Sequence, residues 1–171
     1  MALLIGASLV MVGCGQVQQD GGNQAQQPNT STAAPSQQAA EVSREAATPE
    51  GQNVVIATAD ITGQARFYPT TAAGTSLEIL AIRAADGSIR TAFNTCQICF
   101  DSGRGYYVQE GNVLVCQNCG NRFSAERVEV ESGGCNPVPI FADDKIVGTN
   151  EIVIPAASIA QAQQIFAHWK R

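Results

Sequence analysis

The feature that most constrains this chain is a pair of Cys-x-x-Cys sequences, Cys96/Cys99 and Cys116/Cys119, separated by 16 residues. The intervening stretch GYYVQEGNVLV predicts one β-hairpin with its turn at Glu-Gly-Asn. A hairpin brings its two ends together, so we expect both cysteine pairs at the same end of it. Gly120 follows the second pair, where the backbone is expected to turn tightly. The chain must therefore adopt a fold in which four thiols meet.

Four thiols presented by two such turns, or knuckles, suit a tetrahedral metal site that holds Zn²⁺, a single iron or an iron–sulfur cluster. The sequence predicts that Cys96, Cys99, Cys116 and Cys119 are metal ligands. Two disulfides are an alternative, favoured by export from the cytoplasm. Thiol–disulfide catalysis is a further alternative, although its cysteine pairs normally begin a helix, and both pairs here lie in β-hairpins.

A fifth thiol, Cys135, lies in the stretch GGCNPVPI. It is interpreted either as an additional metal ligand, as a neighbour that donates a hydrogen bond to a cluster sulfur, or as a small buried apolar residue. The only histidine, His168, lies in the last predicted helix, so the knuckles do not form a mixed Cys/His site.

The N-terminal residues MALLIGASLVMVGC are apolar and end in Cys14. A run of this length is too short to span a bilayer as a helix and suits a secretory signal. The Met-Val-Gly-Cys ending is similar to a bacterial lipobox, which predicts cleavage of a signal peptide at residues 1–13 and lipidation of Cys14. An uncleaved apolar anchor is the alternative. Both interpretations place the protein outside the cytoplasm, bound to the cell membrane.

Residues 14–52 are predicted to be the lipidated cysteine and a disordered linker, because this stretch is rich in Gln, Ala, Ser, Thr, Gly and Pro. Residues 53–171 are predicted to be one mainly β domain of antiparallel strands. Strands are expected in VVIATADI, ARFYPT, TSLEILAIRA, IRTAFNTC, the knuckle hairpin, RFSAERVEVES and KIVGTNEIVIP. Apolar residues at helical spacing predict one C-terminal helix over residues 155–170.

Charge and motifs exclude other function classes. The net charge of −5 comes without any cluster of Lys and Arg, which argues against a nucleic-acid partner. No nucleophile–base arrangement, carboxylate pair or phosphate-binding glycine loop is present in the sequence. We therefore expect a protein that is not an enzyme.

The cysteine-containing segments NTCQIC, GYYVQEGNVLVCQNCGNRF and GGCNPVPI resemble the FtrD-like iron–sulfur-containing protein family over roughly residues 53–170. The resemblance implies an iron–sulfur cofactor. In many relatives the domain ends a multi-spanning membrane protein encoded beside ferrous-iron permease components. It therefore implies a membrane iron permease or a redox protein as partner.

A weaker similarity concerns the order of strands and knuckles, which is similar to that of Rieske domains and implies a Rieske-like or rubredoxin-like β domain. Rieske domains carry histidines roughly where Cys99 and Cys119 stand. If that fold is shared, an all-thiolate centre would have a lower potential than a His-ligated one, because histidine ligands raise it.

Two principal hypotheses follow from the sequence. In the first, the four thiols hold an iron–sulfur cluster that transfers electrons in iron transport or respiration. In the second, they hold structural Zn²⁺ in a non-redox docking module of a metal transporter. Thiol–disulfide exchange is a third. The sequence does not distinguish zinc from iron, because both accept four sulfur ligands.

Overall fold

The computed structural model describes residues 43–171, which belong to one compact unit. Short 3₁₀ turns connect many of its elements. The elements in chain order are β1 Ser43–Arg44, β2 Val54–Ala57, β3 Arg66–Ala72, β4 Thr75–Arg83, β5 Ile89–Cys96, β6 Tyr107–Glu110, β7 Val113–Cys116, β8 Arg122–Ser124, β9 Pro137–Pro139, β10 Ile146–Val147, β11 Glu151–Ile154 and α1 Ala156–Gln161.

The strands form three sheets. The largest has the order β1-β3-β4-β5-β9, and two three-stranded sheets have the orders β10-β11-β2 and β6-β7-β8. All pairings between these strands are antiparallel except that of β1 with β3. The prediction of a mainly β domain with one helix near its C-terminus is confirmed.

Strand β4 is buried on both faces, and each face contributes to a different core. Leu77 and Ile79 pack with the helix and with β2 and β11 in one apolar cluster. Leu80 and Ile82 belong to a second cluster, which also contains three of the cysteines. The charged residue Glu78, on the second face, is buried as well. Three of the four knuckle cysteines, Cys96, Cys99 and Cys116, therefore lie within a hydrophobic core.

The folded unit includes residues 43–52, which the sequence composition predicted to belong to the linker. Strand β1 pairs in parallel with β3, and the backbone N–H of Thr48 donates to the carbonyl of Pro69 at 2.8 Å. Arg44 explains why this polar segment is ordered, because its guanidinium donates two hydrogen bonds to the buried Glu78 carboxylate, at 2.7 and 3.2 Å. A buried carboxylate requires such a partner, and the charge on Arg44 supplies it.

The C-terminal helix is shorter than predicted. Helix α1 covers Ala156–Gln161, and a 3₁₀ turn covers Gln163–Phe166. This tighter turn accompanies the packing of two aromatic rings, Phe166 and Trp169, which meet edge to face with centroids 5.1 Å apart. The indole N–H of Trp169 donates to the carbonyl of Ser76 at 2.8 Å. In the described part of the chain, no helix is both long and apolar enough to cross a membrane.

The predicted signal peptide, the lipidation site Cys14 and most of the predicted linker lie outside the described residues.

Candidate metal centre

The first knuckle begins at the end of β5, where the predicted strand ends in Cys96. The backbone N–H of Cys96 donates to the carbonyl of Gly105 at 2.6 Å, which closes the loop between the two residues. The backbone N–H groups of Ile98 and Cys99 lie beside the Cys96 sulfur and lower the pKa of that thiol. The tight turn that places them there also brings the Cys96 and Cys99 sulfurs within 4.8 Å of each other.

The second knuckle repeats this arrangement at the end of β7. The backbone N–H groups of Asn118 and Cys119 lie beside the Cys116 sulfur and favour its ionised form. Gly120 has a φ of 72° and donates its N–H to the carbonyl of Cys116 at 2.9 Å. A Cβ at this glycine would meet nothing within 4 Å. The left-handed backbone, not lack of space, is therefore what requires glycine here.

The two knuckles meet because a side chain links the sheet that contains β5 to the sheet that contains β6 and β7. The side chain of Asn94 on β5 accepts a hydrogen bond from the Tyr107 N–H at 2.8 Å and donates to the Tyr107 carbonyl at 3.3 Å. This amide replaces a strand-to-strand backbone pairing between β5 and β6. The same Asn94 amide donates to Glu78 at 2.8 Å. Asn94 thereby fixes the hairpin that carries the second knuckle against the strand that carries the first.

Cys135 lies beside both knuckles. Its carbonyl accepts hydrogen bonds from the Tyr107 hydroxyl at 2.7 Å and from the Asn121 side chain at 2.8 Å. The side chain of Gln97, within the first knuckle, accepts from the Gly133 N–H at 2.9 Å. Polar residues of both knuckles therefore hold the loop that carries the fifth thiol. The sequence left the role of Cys135 open, and the structure places its sulfur among those of the knuckles.

The sulfur atoms of the five thiols fall into two overlapping groups of three. Cys99, Cys116 and Cys119 have sulfurs within 4.8 Å of one another, and so do Cys96, Cys99 and Cys135. Cys99 belongs to both groups. We call these five residues the thiol cluster. Within residues 43–171, the four sulfurs of the two knuckles do not form a single group at this distance, and all five cysteines are free thiols.

The environment shifts the pKa values of the thiols in different directions. Burial raises the pKa of Cys116 to about 12. Burial also opposes ionisation of Cys96, but the polar Tyr107 hydroxyl and two backbone N–H groups beside the sulfur outweigh it and lower the pKa of that thiol. A hydrogen bond with Cys119 and burial raise the pKa of Cys135 to about 12. Thiol protons that remain in the metal-free cluster must leave when a metal binds.

One side of the thiol cluster faces solvent. Cys96 and Cys116 are fully buried, whereas Cys119 is exposed and Cys135 is partly exposed. The side chain of Ile98, at the tip of the first knuckle, is 63% exposed. A bound centre would thus have buried ligands on the core side and a short path to the surface on the other.

The residues that support the cluster were not identified from the sequence. Tyr107 and Asn94 occupy ordinary strand positions. Only the structure distinguishes them, because both carry a polar side chain and are buried. Gly105 lies in the loop between the first knuckle and β6, and no motif in the sequence marks it. His168 is exposed, with Nε2 at 3.8 Å from a carboxylate oxygen of Asp101.

Residues 61–166 match the family described as membrane iron-sulfur containing protein FtrD-like. The match covers more than half of the chain. The chain belongs to this family. No curated protein matches the sequence. Family membership and the thiol cluster together indicate metal binding, and the family description associates its members with iron–sulfur chemistry and with a membrane.

Proposed function

We propose that this protein is an extracytoplasmic, membrane-anchored electron-transfer module whose thiol cluster holds an iron–sulfur cluster. The observation that carries the proposal is the convergence of five free thiols from two knuckles and a third loop, three of them buried in the core of an FtrD-like domain. When bound, an iron–sulfur cluster supplies one-electron chemistry, and the protein supplies ligands, burial and hydrogen bonds. We propose a carrier of electrons and no catalysed reaction.

The donor set fits an iron–sulfur cluster. All of its members are thiols, the ligand type that such clusters use. Ligands of a single ion at a metal–sulfur distance of about 2.3 Å cannot lie more than about 4.6 Å apart. The knuckle sulfurs do not form one group within even 4.8 Å. This spread favours a centre that contains more than one metal atom.

The surroundings of the cluster support electron transfer. Cys96 and Cys116 would hold the centre on its buried side, where the polar Tyr107 hydroxyl lies beside Cys96. On the other side, Cys119 is exposed and Ile98 offers an apolar contact at the surface. A redox partner that docks there would approach the centre without any rearrangement of the β sheets.

The location and the partner rest on the sequence and the family. The predicted lipidation of Cys14 would anchor the chain to the membrane, and the folded domain would stand outside the cytoplasm. The family description supports membrane association. We propose a membrane iron permease or a respiratory redox protein as the partner, because the FtrD-like resemblance implies a role beside iron permeases.

Zinc binding in a non-redox docking module of a metal transporter is the second candidate. One observation favours it, because the three sulfurs within each group lie close enough to ligate a single ion. On this hypothesis the centre would stabilise the fold and would show no colour.

The deciding experiment is anaerobic purification of the full chain, followed by iron, acid-labile sulfide and zinc analysis and by visible and EPR spectroscopy. We expect iron and sulfide in matched amounts and an EPR signal that depends on the oxidation state. Stoichiometric zinc without a visible chromophore, even after reconstitution with iron and sulfide, would contradict the electron-transfer proposal and support the zinc module. Disulfides in the purified chain would instead support thiol–disulfide exchange.

The ligand assignment and the anchor have separate tests. Cys116→Ser removes a buried knuckle thiol and should abolish the spectrum, and a variant with an unchanged spectrum would contradict the assignment. Cys14→Ala should release the chain from the membrane fraction without altering the metal content. Unchanged membrane association would support an uncleaved apolar anchor.

A further inference from the structure

The position of Cys135 suggests a larger metal capacity than four knuckle thiols would provide. Two side chains, those of Tyr107 and Asn121, hydrogen-bond to the Cys135 carbonyl at 2.7 and 2.8 Å. The backbone N–H of Gln97 donates to the carbonyl of Asn136, the next residue, at 3.1 Å. These bonds hold the loop on both sides of the Cys135 sulfur, so that its position beside Cys96 and Cys99 is built into the fold.

Each group of three sulfurs has the dimensions of a site for one ion. At a metal–sulfur distance of about 2.3 Å, sulfurs around a tetrahedral ion lie about 3.8 Å apart. Both groups are compact, with all sulfurs within 4.8 Å of one another. The groups share only Cys99, and a thiolate sulfur has enough lone pairs to bind two ions at once.

We propose that the thiol cluster binds two thiophilic divalent cations. One would lie between Cys96, Cys99 and Cys135, the other between Cys99, Cys116 and Cys119, and the Cys99 thiolate would bridge them. Two divalent ions offset four of the five thiolate charges in this mostly buried cluster.

This arrangement would leave each ion one coordination position that the cluster does not fill. A tetrahedral divalent ion with three protein sulfurs takes a fourth ligand from water or from an incoming donor. The inference goes beyond the proposed function, because it concerns the metal capacity of the metal-free thiols and does not require an iron–sulfur cluster.

The test is a titration of the reduced, metal-free full chain with Cd²⁺ under anaerobic conditions. Native mass spectrometry counts the ions bound, and thiolate-to-cadmium ultraviolet absorption counts only those bound by sulfur. We expect two thiolate-bound ions per chain. We expect one ion in Cys135→Ser, because one group then retains only two sulfurs, and two ions in the control Cys14→Ser, which alters the cysteine outside the described domain.

Two results would overturn the inference. The first is saturation of the wild-type chain with one thiolate-bound ion, a result that does not depend on how any variant folds. The second is retention of two such ions in Cys135→Ser, which would show that Cys135 is not required for the second position. Neither result bears on the iron, sulfide and EPR measurements, so the failure of this inference and the failure of the electron-transfer proposal are distinguishable.

Discussion

Gly105→Ala provides a sharp test of how the first knuckle is built. A Cβ at residue 105 would lie 2.3 Å from the carbonyl oxygen of Cys99, 2.6 Å from its carbonyl carbon and 2.9 Å from the Cα of Phe100. All three are backbone atoms, so rotation of a side chain cannot relieve the contact. The carbonyl of Gly105 also accepts the Cys96 N–H at 2.6 Å. Any movement of residue 105 is therefore transmitted to both cysteines of the knuckle.

The expected cost follows from these contacts. Overpacking of a well-packed interior typically lowers the free energy of unfolding by about 1–3 kcal/mol. Because three backbone contacts fall below 3.0 Å, we expect Gly105→Ala to lie in the upper part of that range, at about 2–3 kcal/mol. Displacement of the Cys99 backbone should also weaken metal retention, since Cys99 belongs to both groups of sulfurs.

Gly63→Ala is the matched control. A Cβ at this glycine would meet nothing within 4 Å, and its φ lies outside the left-handed region. An alanine that the native backbone accepts without strain reduces the entropy of the unfolded chain and stabilises by about 0.4–1 kcal/mol. We therefore expect this variant to be as stable as wild type or slightly more stable, with unchanged metal content.

Urea denaturation of the full chain, followed by tryptophan fluorescence, measures both variants, because Trp169 is the only tryptophan and is buried. Metal analysis of the same samples gives the second readout. If Gly105→Ala and Gly63→Ala have equal free energies of unfolding and equal metal content, the packing of Gly105 against the knuckle is not what the structure indicates.

Three further predictions concern the surroundings of the cluster. Tyr107→Phe removes the hydroxyl that donates to the Cys135 carbonyl and should cost about 1–2 kcal/mol in chemical denaturation; a stability equal to wild type would show that this bond contributes nothing. Glu129→Ala removes the ion-pair partner of Lys145, which lies at 2.6 Å, and the Lys145 side chain is only 4% exposed. The free energy of unfolding should therefore fall by about 3–5 kcal/mol. A loss below about 1 kcal/mol, the value for an exposed pair, would contradict this prediction. The pKa values of Cys116 and Cys135 are raised to about 12, so at neutral pH a metal must displace their protons. Apparent Zn²⁺ affinity should therefore rise as pH is raised from 6 to 8, by about tenfold per pH unit for each proton released. A pH-independent affinity measured by competition with a chelator would refute this prediction.

The sequence predicted those parts of the structure that depend on local patterns. The Glu-Gly-Asn turn located the knuckle hairpin, and β5 Ile89–Cys96 was predicted with its observed bounds. Cys96 and Cys116 end their strands as expected. These features need only neighbouring residues, so one sequence was enough to find them.

The features that the sequence missed depend on contacts between distant residues. Arg44 lies in a stretch of linker-like composition, and only the buried Glu78, 34 positions later, explains why it is ordered. Cys135 joins the cluster through hydrogen bonds from Tyr107 and Asn121, which no spacing rule connects to it. Such pairings are a property of the folded chain, which is why the sequence left the role of the fifth thiol open.

The most direct test of the central claim is X-ray absorption at the iron edge of the full chain purified anaerobically. If the thiol cluster holds an iron–sulfur cluster, the first coordination shell contains only sulfur and a second iron atom scatters from close by. Absence of iron, a first shell of oxygen or nitrogen, or iron without a metal neighbour would contradict the claim that these thiols form a polynuclear iron–sulfur centre.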